Sequence, residues 1–105
     1  MNRHERRKNK GKGIEDNKFF EILTNAIEVH KARDFTKAES IYKKLLVTHP
    51  KSYELNRHMG ILFQDTGRTE DSFNFFVKCI EKNPSGFEAY NNMGTSYVIV
   101  KEYEL

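Results

Sequence analysis

Residues 53–84 read YELNRHMGILFQDTGRTEDSFNFFVKCIEKNP, and this stretch decides the fold. It carries Met59-Gly60, Phe63, Gly67 and Phe76 and closes on Asn83-Pro84. The closing proline has an upstream counterpart in Pro50, and the Met-Gly pair has a downstream one in Met93-Gly94. Both steps have the same length, a period of about 34 residues. Such a fixed period marks a repeated supersecondary unit, each copy of which must stack on its neighbours to bury its apolar face.

Within each unit the apolar spacing is helical. In the quoted stretch Leu55, Met59, Leu62 and Phe63 mark one helix and Phe73, Phe76, Cys79 and Ile80 its partner, with the turn at Gly67. Upstream, Phe19, Ile22, Leu23, Ala26, Ile27 and Val29 mark a helix that Asp16 or Asn17 can cap. A second stripe, Phe35, Ala38, Ile41, Tyr42, Leu45 and Leu46, follows the cap Asp34 and stops at His49-Pro50, because proline disfavours helical geometry in the residue before it. Downstream, Ser85-x-x-Glu88 has the form of a capping box before Tyr90, Met93, Tyr97 and Val100. The pattern predicts five helices, near residues 17–31, 35–48, 53–66, 69–82 and 86–100, and no strand. Gly60 lies inside a helix, at a cost of about 1 kcal/mol relative to alanine. Such a glycine needs a packing reason, close approach of the partner helix, and Gly94 is expected to serve the same purpose. The lone Cys79, on the stripe of Phe76, reads as a small buried packing residue.

A helix-turn-helix period of this length, ending on proline, resembles the tetratricopeptide repeat (TPR) family. The matching residues are Ile22, Ala26, Val29, Ala38, Tyr42 and Pro50 in a first unit (19–52), and Met59-Gly60, Phe63, Phe76 and Pro84 in a second (53–86). Tyr90, Met93-Gly94 and Tyr97 open a third, partial unit (87–105). The departures are Asn25 in a usually apolar slot, Asn56 in the large apolar slot and Ser72 for alanine. The resemblance implies an all-α solenoid of two complete hairpins plus the first helix of a third. It also implies a non-catalytic scaffold whose partner, a protein or peptide, lies in a concave groove lined by the first helix of each hairpin. On helical spacing the groove residues are Leu23, Ile27 and His30, then Arg57, His58, Ile61 and Gln64, then Asn91, Asn92, Thr95 and Val98. Amides and Arg57 suit a peptide backbone or carboxylate, and the aliphatics suit its side chains. The cationic set with which chaperone-tail-binding members hold a terminal carboxylate is missing at the matching Leu23, Ile27, His58, Glu88 and Asn92. Residues 27–42 and the basic leader are also similar to the opening of bacterial proteins in which such repeats precede a glycosyl-, methyl- or sulfotransferase domain. The alternative expectation is therefore the N-terminal region of a transferase lacking its catalytic domain.

Composition bounds the remaining readings. The 105 residues suffice for one domain, 37% of them hydrophobic and 31% charged, with a mean hydropathy of −0.77. Residues 1–12 hold six basic side chains against Glu5, a net of +5, whereas residues 13–105 hold 12 basic and 14 acidic groups, a net of −2. Residues 1–17 hold almost no large apolar side chain and carry glycines at 11 and 13, so they read as a disordered leader preceding an array over 18–105. An arginine-rich arm has the charge to neutralise the phosphates of RNA or DNA. Without interleaved aromatics it reads instead as a solvated arm. With neither a membrane-length apolar run nor a secretory segment, the expected compartment is the cytoplasm and no membrane partner is expected. His4, His30, His49 and His58 have no metal-site spacing, and no cofactor loop or catalytic constellation is evident. The apolar run Tyr97-Val98-Ile99-Val100 makes the fifth helix a poor cap. Tyr103 is expected to open a sixth helix. The chain is therefore expected to be a fragment of a longer protein, with self-association through the exposed fifth helix.

Overall fold

The computed structural model describes the backbone of residues 3–103 and the side chains of residues 17–102. Its elements are α1 (Arg3–Lys31), α2 (Phe35–Thr48), α3 (Tyr53–Asp65), α4 (Thr69–Lys82) and α5 (Phe87–Tyr103), with no strand among the described residues. The all-α expectation holds, and the three middle helices lie within a residue of their predicted bounds.

The outer two helices differ. α1 begins at Arg3, not near residue 17 as expected of an unstructured leader. Residues 3–16 are mostly lysine, arginine, glutamate and asparagine, and the straight-chain members of that set are good helix formers. The about 1 kcal/mol cost of each of two glycines does not stop a helix already propagating from Phe19. Neither Asp16 nor Asn17 is therefore a cap. α5 runs on through Tyr103, the residue expected to open a sixth helix, because neither Lys101 nor Glu102 breaks helical geometry. Met1, Asn2, Glu104 and Leu105 lie outside the described residues.

The turns repeat bond for bond. After α1, Arg33 N–H donates to His30 C=O (2.9 Å) and Asp34 N–H to Val29 C=O (3.2 Å). After α3, one period on, Gly67 N–H donates to Gln64 C=O (3.2 Å) and Arg68 N–H to Phe63 C=O (2.8 Å). This way of closing a helix needs a left-handed residue, and Arg33 (φ 68°) and Gly67 (φ 80°) supply it. The loops after α2 and α4 match in the same way. His49 N–H reaches Leu45 C=O and Ser52 N–H reaches His49 C=O, as Asn83 N–H reaches Cys79 C=O and Gly86 N–H reaches Asn83 C=O. Asp34 caps α2 by accepting from Lys37 N–H (3.2 Å), and Ser52 caps α3 by accepting from Leu55 N–H (3.2 Å). The expected capping box of α5 does not form: Glu88 accepts instead from the Tyr53 hydroxyl at 3.0 Å.

Each helix packs on the next, and the odd-numbered helices also touch one another. Phe19, Leu23 and Ala26 of α1, Ala38, Tyr42 and Leu45 of α2, and Leu55, Met59 and Leu62 of α3 form one core. Phe76, Cys79 and Ala89 are fully buried farther along. At Gly60 a Cβ would fall 2.5 Å from the Phe76 ring, which explains the glycine. At Gly94 nothing lies within 4 Å of the same position, so the packing role expected of it is not fulfilled: among the described residues no helix covers that face of α5.

The odd-numbered helices meet at a constant offset. His30 meets Asp65 (2.7 Å), Tyr53 meets Glu88 (3.0 Å) and Arg57 meets Asn92 (3.3 Å), each pair 35 residues apart. Helix ends therefore meet like ends, so α1, α3 and α5 run parallel. Arg68, whose guanidinium lies 4.0 Å from the centre of the Phe63 ring, pairs through both terminal nitrogens with Glu39 of α2. Together with Lys43, that pairing holds the Glu39 carboxyl down at about 2.

Candidate functional site

Side chains on the layer formed by α1, α3 and α5 converge in two places. Between α1 and α3 lies an open hollow of about 300 Å³, lined by Ile27, His30, Lys31, Arg33, Phe35, His58, Ile61 and Asp65. Helical spacing explains the set. Ile27, His30 and Lys31 occupy successive turns of one face of α1, and His58, Ile61 and Asp65 do the same on α3. Ile27, Ile61 and Phe35 make apolar walls, Lys31 and Arg33 stand at the rim, and the histidines lie between.

His30 is 7% exposed and both its ring nitrogens are bonded. Nδ1 lies 3.0 Å from the Tyr42 hydroxyl and Nε2 lies 2.7 Å from Asp65 Oδ2. An ionised carboxylate only accepts, so Nε2 carries the proton, and in the neutral ring Nδ1 accepts from Tyr42 O–H. The Tyr42–His30–Asp65 chain joins α2, α1 and α3. Its order matches a nucleophile, base and orienting acid, yet Tyr42 has no exposed surface. Burial first, and the nearby Asp65 charge second, raise its phenol above the ordinary range. No substrate atom can reach it, so the chain is a tie between helices.

The His58 ring lies nearly parallel to that of Tyr42, 6.5 Å away. Burial lowers its pKa to about 4, assisted by Arg57, His30 and Lys31. Glu54, 3.8 Å from Nε2 and about half exposed, does not reverse this. At neutral pH the hollow therefore presents an uncharged imidazole that can donate one hydrogen bond and accept another.

The second convergence lies between α3 and α5. Gln64 Nε2 donates to Asn92 C=O (2.8 Å) and Ser96 Oγ (2.6 Å). Ser96 Oγ lies 2.7 Å from Ser72 Oγ of α4. Arg57 bridges Glu54 (3.4 Å) and Asn92 (3.3 Å). These polar atoms are engaged with one another.

The expected groove residues thus divide. Ile27, His30, His58 and Ile61 share the hollow, and Arg57, Gln64 and Asn92 share the α3–α5 seam. Asn91, Thr95 and Val98 are exposed on α5, away from both, with Thr95 Oγ1 bonded to Asn91 C=O (3.2 Å). Leu23 is corrected: at 3% exposure it belongs to the core, because α1 turns it toward α2 and α3. Tyr42, Phe35 and Asp65 went unrecognised as neighbours of the hollow. Asp65 did leave a signal, since an acid in the last turn of a helix opposes the helix dipole and needs a partner.

A larger hollow of about 570 Å³ is lined by Pro50, Lys51, Lys78, Glu81 and Lys82. Among the described residues no three His, Cys, Asp or Glu side chains are grouped to hold a metal ion. Among them, too, no helix is long and apolar enough to cross a membrane. No family model matches the chain, and no curated protein matches it.

Proposed function

We propose that the chain is a non-catalytic peptide-binding module of the tetratricopeptide-repeat type, holding an extended peptide along α1, α3 and α5. The observation that carries this reading is the hollow between α1 and α3. Ile27, His30, His58 and Ile61 come from two neighbouring helices and line an open hollow while the core is closed. Its apolar walls suit one aliphatic side chain, and the uncharged His58 can bond the peptide's own amide groups. The periodic recurrence of the turns and the constant offset between odd-numbered helices support the family reading.

The test is selection of peptides from a displayed random library on the intact chain, followed by anisotropy titration of the selected sequences. Ile61→Asp and His58→Ala are expected to weaken binding roughly tenfold or more, as loss of a buried anchor does. Val47→Asp, at an 82% exposed position on α2, should have no effect. Selected peptides that bind all three variants equally would place the partner elsewhere.

A further inference from the structure

The loop between α2 and α3 and the end of α4 enclose the open hollow of about 570 Å³ lined by Pro50, Lys51, Lys78, Glu81 and Lys82. Lys78 and Lys82 stand one helical turn apart on one face of α4, and Lys51 enters the same hollow from the loop. None of these lysines forms an ion pair among the described residues, and neither does Glu81. Like charges one turn apart on a helix repel each other. The lining therefore holds three ammonium groups against one carboxylate, a net of +2, in a chain whose residues 13–105 are net −2.

Two of the three cations stand on supports that hold them in place. Lys51 lies between Pro50 and Ser52, and the buried Asn56 amide donates to the carbonyls of both. Proline fixes its own φ, and the bond from Ser52 N–H to His49 C=O closes the turn. Lys78 Nζ stands 5.5 Å from the centre of the Phe75 ring, a cation–π contact that anchors the ammonium from one side.

We propose that this hollow is a binding site for a small phosphate-type polyanion, with a diphosphate group as the occupant that fits it best. A lysine ammonium is a compact point charge with three donors and no fixed plane of approach, which suits oxygens spread around tetrahedral phosphorus. Planar, bidentate recognition of a carboxylate calls for arginine, and no arginine lines the hollow. A diphosphate carries several negative charges where a carboxylate carries one, so it neutralises the cluster more fully. Among the described residues no aromatic ring lines the hollow, so a nucleic-acid base has nothing to stack on. Glu81 opposes any anion, and its removal gives the site a testable sign. The inference is independent of the groove between α1 and α3.

The test is titration of the full chain with sodium pyrophosphate at constant ionic strength, followed by amide NMR. Saturable shifts are expected at Lys51 and over residues 78–82, with weaker binding of sulfate. Lys78→Glu should weaken binding roughly fivefold or more, and Glu81→Gln should tighten it roughly twofold, as changes in exposed charge pairs do. Lys37→Glu, which reverses an exposed charge near the start of α2, should leave it unchanged. All three substitutions are at exposed positions, and thermal melts confirm that the variants are folded. A nucleoside diphosphate is expected to bind no more tightly than inorganic pyrophosphate; tighter binding through the same lysines would keep the site and assign the group to an ester. Absence of saturation overturns the proposal, as do shifts confined to the basic residues 1–12. Lys37→Glu costing as much as Lys78→Glu, or Glu81→Gln weakening binding, overturns it equally.

Discussion

Alanine placed at Gly60 and at Gly94, which occupy the same position of equivalent helices, should change stability in opposite directions. Both glycines lie inside helices, so alanine adds about 1 kcal/mol of helix propensity at either position. At Gly60 the new methyl would meet three ring carbons of Phe76 at 2.5, 2.6 and 2.9 Å. The ring is rigid and fully buried, so it cannot swing toward solvent. α3 and α4 must separate, and overpacking of this kind costs about 1–3 kcal/mol. With contacts this short the upper half of that range applies, leaving Gly60→Ala destabilised by about 1–2 kcal/mol after the propensity gain. At Gly94 nothing opposes the gain. For a chain of this size a change of about 1 kcal/mol corresponds to about 4–8 °C in Tm. Circular dichroism melts should therefore show Gly60→Ala falling by roughly 5–15 °C and Gly94→Ala rising by about 4–8 °C. Gly60→Ala melting at or above wild type, or Gly94→Ala melting below it, would refute the account of both faces.

Tyr42→Phe strips His30 of its buried hydroxyl partner and should lower stability by about 1–3 kcal/mol in urea titrations. Asp65→Asn should cost less, because the Asp65 side chain is 44% exposed and water can replace it. The Glu39 carboxylate, held down at about 2 against an ordinary 4.5, takes up its proton in the unfolded chain before the folded one. Its stabilisation is thus present above pH 4.5 and lost as the pH falls toward 2, and Glu39→Gln should flatten that part of the urea-midpoint profile. His58, ordinarily near 6.5, titrates at about 4 in the fold. Stability is accordingly complete with respect to this group above 6.5 and declines between 6.5 and 4, as the unfolded chain takes up the proton first, and NMR should place the midpoint of its ring-proton shift near 4. A midpoint at the ordinary imidazole value would contradict the burial argument.

The helices were legible because their punctuation is chemical. Pro50 and Pro84 cannot be accommodated inside a helix, Gly67 supplies the left-handed turn, and the glycine at 60 demanded a close neighbour that Phe76 proved to be. The candidate site was less legible because exposure depends on how each helix is rotated and what covers it. Leu23 and Ile27 are one helical turn apart and chemically alike, yet one is in the core and the other lines the hollow. His30 has the spacing of an open groove residue, and only the arrival of Tyr42 and Asp65 from two other helices closes it in. At Gly94 the pattern demands the same neighbour as at Gly60, but among the described residues nothing lies within 4 Å of that position. The length of α1 escaped for a different reason: a run of charged residues has helical propensity but no apolar stripe to announce it.

Two of the three residues that depart from the tetratricopeptide resemblance are fully buried and bonded to other parts of the chain. Asn56, where the resemblance leads one to expect a large apolar side chain, is 1% exposed and donates through Nδ2 to the carbonyls of Pro50 (3.0 Å) and Ser52 (2.8 Å). Ser72, where the same resemblance leads one to expect alanine, bonds Thr69 C=O and meets Ser96 across helices. The units are consequently not interchangeable bricks. Rewriting residues 53–86 toward an averaged repeat would replace directional bonds with contacts any neighbour could supply, taking from the Pro50 carbonyl its bond to Asn56 while the Ser52 carbonyl kept only the backbone N–H of residue 56. What looks like drift from an ideal unit is the address that tells each unit which neighbours are its own.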